Sequence, residues 1–210
     1  MMDKLTPELL LQGYAMGIFP MAEARDDPEL HWIDPKLRGV LPLESFHIPR
    51  SLRKTLRRGT YDIKADTAFT QVIELCAGST DNRQETWINE TIIDLFTQLH
   101  QWGYAHSVES WQDGVLVGGL YGIALGRAFF GESMFSRATD ASKVALVDLV
   151  ARLKSGGFTL LDTQFVTEHL SQFGVIEIPK REYLKRLQVA IRQPAHFSTN
   201  PMKWEVALSE

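Results

Sequence analysis

The sequence predicts an α+β fold, with a small N-terminal domain over residues 1–60 and a larger domain over residues 61–210 built on a mixed sheet flanked by helices. Three observations carry this expectation. An opening helix signal gives way to a stretch broken by Pro20, Pro28, Pro35, Pro42 and Pro49. Two capped amphipathic helical patterns then precede three consecutive strand patterns, the first two joined by Asp113-Gly114. A long helical pattern and one further strand follow.

In chain order, Thr6 caps and Pro7 starts a helix that carries Leu9, Leu10 and Tyr14 toward Gly17. From Ile18 to Pro49 the prolines limit regular structure to turns and short strands. Pro49 then opens a strongly basic helix. Arg50, Arg53, Lys54 and Arg57 follow the i, i+3, i+4, i+7 spacing of one face, Arg58 adds a fifth cation, and Leu52 and Leu56 occupy the opposite face. Tyr61 to Ala65 reads as a strand. Asp66 is placed to cap a helix carrying Phe69, Val72, Ile73 and Cys76 that stops at Gly78, and Asn89 to cap another carrying Ile92, Ile93, Phe96 and Leu99 that stops at Gly103.

Strands are expected at Ala105 to Trp111, Val115 to Ala124 and Arg127 to Met134, with Asp113-Gly114 as a tight hairpin turn. A helix from near Asp140 carries Val144, Leu146, Val147, Val150 and Leu153 to Gly156-Gly157. Phe158 to Phe165 is the last predicted strand, and helical signals return at Thr167 to Gln172 and after Pro179.

With 210 residues and 44% apolar content, the chain can bury a substantial core. The net charge of -4 argues against general coating of nucleic acid, although the basic helix is a local exception. A single cysteine, Cys76, excludes an intramolecular disulfide framework and fits a reducing compartment. No run approaches the roughly 18 apolar residues that a membrane-spanning helix needs. The first residues lack a basic segment followed by an apolar one, so a cytoplasmic location is expected.

The most informative residues interrupt apolar runs. Gly131-Glu132-Ser133-Met134-Phe135-Ser136 and Leu160-Leu161-Asp162-Thr163-Gln164-Phe165 each put acid or amide groups where a buried strand is expected. Burying such groups costs free energy unless they are hydrogen-bonded or line a cleft, so Glu132, Asp162 and Gln164 mark a candidate active site. Ser133 and Ser136 are poor nucleophiles, because the second glycine of an esterase elbow is missing. His106, Glu109 and His169 match no standard metal spacing, and no metal is expected.

The order of antiparallel strands, helix and strand resembles the second half of an acetyltransferase-like (GNAT-type) domain. Enzymes of that kind cradle the CoA pyrophosphate with a glycine-rich turn before the helix. This chain has Ser136-Arg137-Ala138-Thr139-Asp140-Ala141-Ser142-Lys143 there, without glycine, so CoA is not expected and no cofactor is assigned. Further motifs are more specific. Gly13-Tyr14-Ala15-Met16-Gly17-Ile18-Phe19-Pro20-Met21, Trp32 with Pro35, Glu85-Thr86-Trp87-Ile88, His106-Ser107-Val108-Glu109, Gly118-Gly119-Leu120-Tyr121-Gly122, Gly131 to Ser136 and Leu161-Asp162-Thr163-Gln164 follow one another along the chain. In order and spacing, the chain from Leu9 to Tyr183 closely resembles the leucyl/phenylalanyl-tRNA-protein transferases.

That resemblance implies an aminoacyltransferase of the leucyltransferase type, which moves Leu or Phe, with Met as a further donor, from aminoacyl-tRNA to the α-amine of proteins beginning with Arg or Lys. The product enters the N-end rule pathway of protein degradation. The resemblance also implies a small N-terminal domain beside an acetyltransferase-like one, with RNA in place of CoA as acyl donor. In the matching roles, Asp162 polarises Gln164, Gln164 accepts a hydrogen bond from the amine, and Glu132 attracts the cationic acceptor. Proton removal through an amide is chemically awkward, so a second account stays open in which the site positions the amine and a ribose hydroxyl or water takes the proton.

By position, Leu120, Met134, Leu146, Leu149, Leu153 and Leu161 match a pocket for the donor side chain, and Trp87 matches a tryptophan that stacks on the terminal adenosine. Arg50, Arg53, Lys54, Arg57 and Arg58 then have a client in the acceptor-stem phosphates. The expected state is a monomer, away from membranes. A CoA-dependent N-acetyltransferase and a non-catalytic RNA-binding module are the two rival readings.

Overall fold

The computed structural model describes residues 5–27, 29–78 and 86–207. Pro28 and Glu85, named above, lie outside the described residues, as do the first four positions. The N-terminal part forms α1 (Pro7–Met16), β1 (Phe19–Met21), β2 (His31–Ile33), β3 (Leu37–Leu41) and α2 (Arg50–Arg58). Next come β4 (Asp62–Ala65), α3 (Phe69–Ala77), α4 (Glu90–Gln101), β5 (Ala105–Gln112), β6 (Val115–Leu125) and β7 (Ala128–Ser136). The chain continues through α5 (Ala141–Ser155), β8 (Leu160–Gln164), α6 (Glu168–Ser171), β9 (Ile176–Pro179), α7 (Lys180–Ala190) and α8 (Trp204–Ala207).

Several elements start and stop on local chemistry. Thr6 accepts a hydrogen bond from the Leu9 amide at the head of α1, and Gly17 closes that helix at φ 84°. Asn89 accepts from the Ile92 amide at the head of α4. Asp113 and Gly114 both have positive φ, 51° and 77°, as the two-residue turn between β5 and β6 requires.

The head of α3 departs from expectation. Asp66 does not cap it: Asp66 has φ 58°, and its carboxylate accepts from the Ser107 amide and meets His106 Nδ1 at 2.7 Å. The distant Glu109 does the capping, accepting from the amides of Thr67 and Ala68 at 2.9 and 2.8 Å and from the Thr67 hydroxyl. Ser107 Oγ and Trp111 Nε1 also donate to Glu109. A buried carboxylate with this many donors is satisfied where it sits.

Seven strands form one sheet in the order β4-β5-β6-β7-β8-β3-β9. All neighbours are antiparallel except β7 and β8, which run parallel and are joined by α5 as such a crossover requires. The expected α+β class, with a mixed sheet flanked by helices, is therefore present. The N-terminal segment is woven into this sheet: β3 lies between β8 and β9, so the strand order crosses the expected boundary near residue 60. The sequence reading had no strand at β9, which is four residues long.

The sheet separates two apolar clusters. One gathers Leu10, Tyr14, Ile73, Phe96 and Leu187 from α1, α3, α4 and α7. The other gathers Leu52, Leu146, Val150 and Leu161 from α2, α5 and the sheet, with Phe158 from the turn between α5 and β8. Helix α5 is buried along most of its length, including Asp148 and Arg152. Those two pair at 2.5 Å, and Arg152 Nη1 also donates to the carbonyls of Ser198 and Asn200, tying the C-terminal segment to the helix.

Among the described residues, no helix is long and apolar enough to cross a membrane.

Candidate active site

Parallel pairing of β7 with β8 covers only Ala128–Phe130 against Leu160–Asp162. Beyond it, Gly131 to Ser136 on one strand and Thr163 and Gln164 on the other line a cavity of about 820 Å³. The break between the strands thus coincides with the two polar interruptions of the sequence. The apolar wall is built by Leu120, Met134, Leu146, Leu149 and Leu161, and Trp87, Phe19 and Phe165 also line the cavity. Six of the seven predicted substrate-binding residues are brought together there. Leu153 is not: it lies near the end of α5, fully buried in the core.

Two linked polar clusters sit at this break. In the first, Arg38 grips Asp162: Nε donates to Oδ1 at 2.9 Å and Nη2 to Oδ2 at 2.7 Å. The Tyr183 hydroxyl donates to Oδ2 at 2.6 Å, and the backbone amide of Gln164 donates to Oδ1 at 2.8 Å. Arg38 Nη1 donates to the Gly17 carbonyl at 2.9 Å, and its guanidinium lies between the rings of Phe19 and Tyr183, 4.6 and 4.5 Å from their centroids. Both oxygens of the buried Asp162 carboxylate thus accept from at least two donors each. Burial, followed by the Asp162 charge, pushes the Tyr183 phenol well up, so it stays a neutral donor.

The second cluster centres on Glu132. Its Oε1 accepts from the Tyr14 hydroxyl at 2.7 Å and from Gln164 Nε2 at 3.1 Å. Burial is the main reason that its carboxyl is pushed from the ordinary 4.5 up to about 8, with the Asp162 charge adding to the rise and Tyr14, Arg38 and Gln164 opposing it. Tyr14 is likewise pushed up, by burial first and the Glu132 charge second.

Gln164 joins the clusters through different atoms. Its backbone amide meets Asp162, while its side-chain amide group meets Glu132. Asp162 and Gln164 are therefore in contact as their spacing suggests, but the contact runs through the main chain and not between side chains. The local backbone makes this arrangement. Gly39 pairs with Gln164 and Val40 with Asp162, so Thr163 is an extra residue in β8, and Gln164 adopts φ 59°. A Cβ on Gly39 would lie 2.6 Å from the Phe165 carbonyl carbon and 2.8 Å from Thr163 Oγ1, so glycine leaves room for the irregularity.

Tyr14, Arg38 and Tyr183 escaped the sequence reading. A signal existed for Arg38, a cation heading the apolar Gly39-Val40-Leu41, but its partner is 124 residues away. The basic residues of α2 stand apart from the cavity lining: Arg50, Arg53, Lys54, Arg57 and Arg58 are all solvent-exposed, over a buried Leu52. His106 and Glu109 are engaged in the contacts around α3, His169 lines the cavity, and no group of three metal-ligating side chains occurs among the described residues.

Family models and sequence relatives agree on one family. Residues 40–188 match the family model described as leucyl/phenylalanyl-tRNA protein transferase, and residues 3–36 match the model for the N-terminal domain of that transferase. The chain is 62% identical to a leucyl/phenylalanyl-tRNA--protein transferase of Paramagnetospirillum magneticum, over 99% of this chain and 100% of that protein. It is 58% identical to the protein of the same name from Nitrobacter winogradskyi, over 95% of this chain and 89% of the relative. Among solved structures, it overlaps L-PGS from Bacillus licheniformis with a TM-score of 0.42 and 13% identity, over 81% of this chain and 58% of that one.

Proposed function

The chain belongs to the leucyl/phenylalanyl-tRNA protein transferase family, and from that membership we propose how its cavity serves the reaction. The protein is an aminoacyltransferase that carries an amino acid from aminoacyl-tRNA to protein. In our reading the donor is leucine or phenylalanine, with methionine as a further candidate, and the acceptor is the α-amine of a protein beginning with Arg or Lys. Such a product is marked for N-end rule degradation in the cytoplasm.

The observation that carries this reading is one cavity with an apolar wall and an acidic end. Leu120, Met134, Leu146, Leu149 and Leu161 suit an unbranched-at-Cβ apolar side chain, and Glu132 with Gln164 offers hydrogen-bonding groups to an α-amine. Trp87 offers a face for the terminal adenosine, and the exposed cations of α2 suit acceptor-stem phosphates. Asp162 is enclosed by Arg38, Tyr183 and the Gln164 amide, so we assign it a positioning role: it fixes the end of β8 from which Gln164 reaches Glu132.

The head of α5, where an acyl-CoA enzyme holds pyrophosphate, speaks against CoA as donor. The Ser142 amide donates to Ser136 Oγ, the Ala141 amide to the Ala138 carbonyl, and the Asp140 carboxylate beside them is paired with Lys143.

The test is transfer of radiolabel from leucyl-, phenylalanyl- and methionyl-tRNA to peptides beginning with Arg or Lys. Labelling from the first two is expected, and acetyl-CoA should give no product. If none of the three tRNAs labels either peptide, the reading fails.

A further inference from the structure

Resting on that reading, we propose that Oε2 of Glu132 takes the proton from the attacking α-amine and delivers it to the tRNA's ribose oxygen as that oxygen leaves the acyl carbon.

The geometry removes the alternatives one by one. Asp162 is fully buried, and both of its oxygens already accept from Arg38, Tyr183 and the Gln164 amide, so it offers no oxygen to the cavity. Gln164 has an amide, which is not a base, and its Nε2 is committed as a donor to Glu132. Glu132 differs from both. Its Oε1 is occupied by Tyr14 and Gln164, whereas Oε2 accepts no hydrogen bond among the described residues, and the side chain lines the cavity. Two donors on one oxygen fix the carboxyl plane, so the other oxygen is held in a defined direction.

The surrounding charges leave Glu132 suited to this work. The Arg38 charge from β3 and the Asp162 charge from β8 form a pair, so they largely offset one another at Glu132. Tyr14 from α1 and Tyr183 from α7 are held neutral. Tyr121 from β6 lines the same cavity, as does His169 of α6, whose pKa burial lowers. With its own pKa at about 8, Glu132 matches an α-amine, whose pKa is near 8. Proton exchange between the two is then nearly balanced, the condition under which general base catalysis works best.

The step balances. The amine nitrogen attacks the ester carbonyl carbon, and the new C–N bond forms as a proton passes from nitrogen to Glu132 Oε2. The C–O bond to the ribose then breaks, that proton moves to the departing oxygen, and the carboxylate is restored.

Three measurements test this, with wild-type transfer as the control. Under single-turnover conditions, Glu132→Gln should lower the transfer rate by about 100-fold or more, with KM for the peptide changed far less. In the wild type, log kcat/KM should rise with pH through two ionisations near 8, Glu132 and the amine, and the variant should keep only that of the amine. Deuterated solvent should slow wild-type transfer, a readout independent of how the variant folds. If the variant raises KM but keeps its rate, Glu132 only binds the acceptor and the proposal falls. It falls also if the wild type shows no solvent isotope effect. Failure of the wild type to transfer any label would instead overturn the functional reading itself.

Discussion

Arg38 and Asp162 meet with side chains 2% and 0% exposed, so each depends on the other to remain charged out of water. Removing one partner leaves the other without compensation, a loss that costs about 3–5 kcal/mol at buried pairs. Arg38→Met should therefore destabilise the protein by that order in urea unfolding, and Arg38→Met with Asp162→Leu should recover part of the loss. Glu132 has the opposite relation to stability. Its carboxyl is raised from 4.5 to about 8, so between those pH values the folded protein keeps a proton that the unfolded chain has released. Its contribution is complete below the ordinary carboxylate range and declines as pH rises to about 8. Glu132→Gln should remove that decline, so thermal midpoints of variant and wild type should diverge in favour of the variant as pH rises from 5 to 8, the range about those two values. The residue pattern foretold where these groups lie and not whom they meet. Glu132, Asp162 and Gln164 stand out because they interrupt apolar runs, whereas their partners Tyr14 and Arg38 are 118 and 124 residues distant and carry no local mark of the pairing.

Among the elements, those with a local cause were legible and those with a remote cause were not. The Thr6 and Asn89 caps and the Asp113-Gly114 turn hold as read, because each acts within four residues. The head of α3 was misread because Glu109, about 40 residues on, supplies what Asp66 was expected to supply. The strands β3 and β9 gain their place only by pairing with each other and with β8, which a stretch of four or five residues beside prolines does not announce. Two elements invite tests. Gly39→Ala should push the end of β8 away from β3 and lower transfer about tenfold or more, with aminoacyl-tRNA binding retained, because small displacements of positioning groups cost rate. In α2, Arg53→Ala with Arg57→Ala should weaken tRNA binding and reduce the slope of log affinity against log salt by about 2, one for each phosphate that is no longer neutralised. Filter binding across a salt series measures that change.

At the scale of the whole molecule, the sheet joins the two ends of the chain, and the C-terminal segment completes the second core. Phe197 is buried against Phe129 and His106, while Ser198 and Asn200 receive Arg152. Ending the chain after Pro194 should strip Arg152 of both carbonyl partners and open that core, at a cost of about 3–5 kcal/mol readable in urea unfolding. The weaving of β3 between β8 and β9 has a consequence for the order of assembly. During synthesis, Tyr14 and Arg38 emerge long before Glu132 and Asp162, and the hydroxyl that completes the Asp162 cluster arrives only with Tyr183. Closing loops of that length is entropically slow, and nothing short of nearly the full chain can close them. A nascent or truncated chain can form the β5–β6–β7 meander while still lacking the site, so the ability to transfer an amino acid is acquired among the last events of folding.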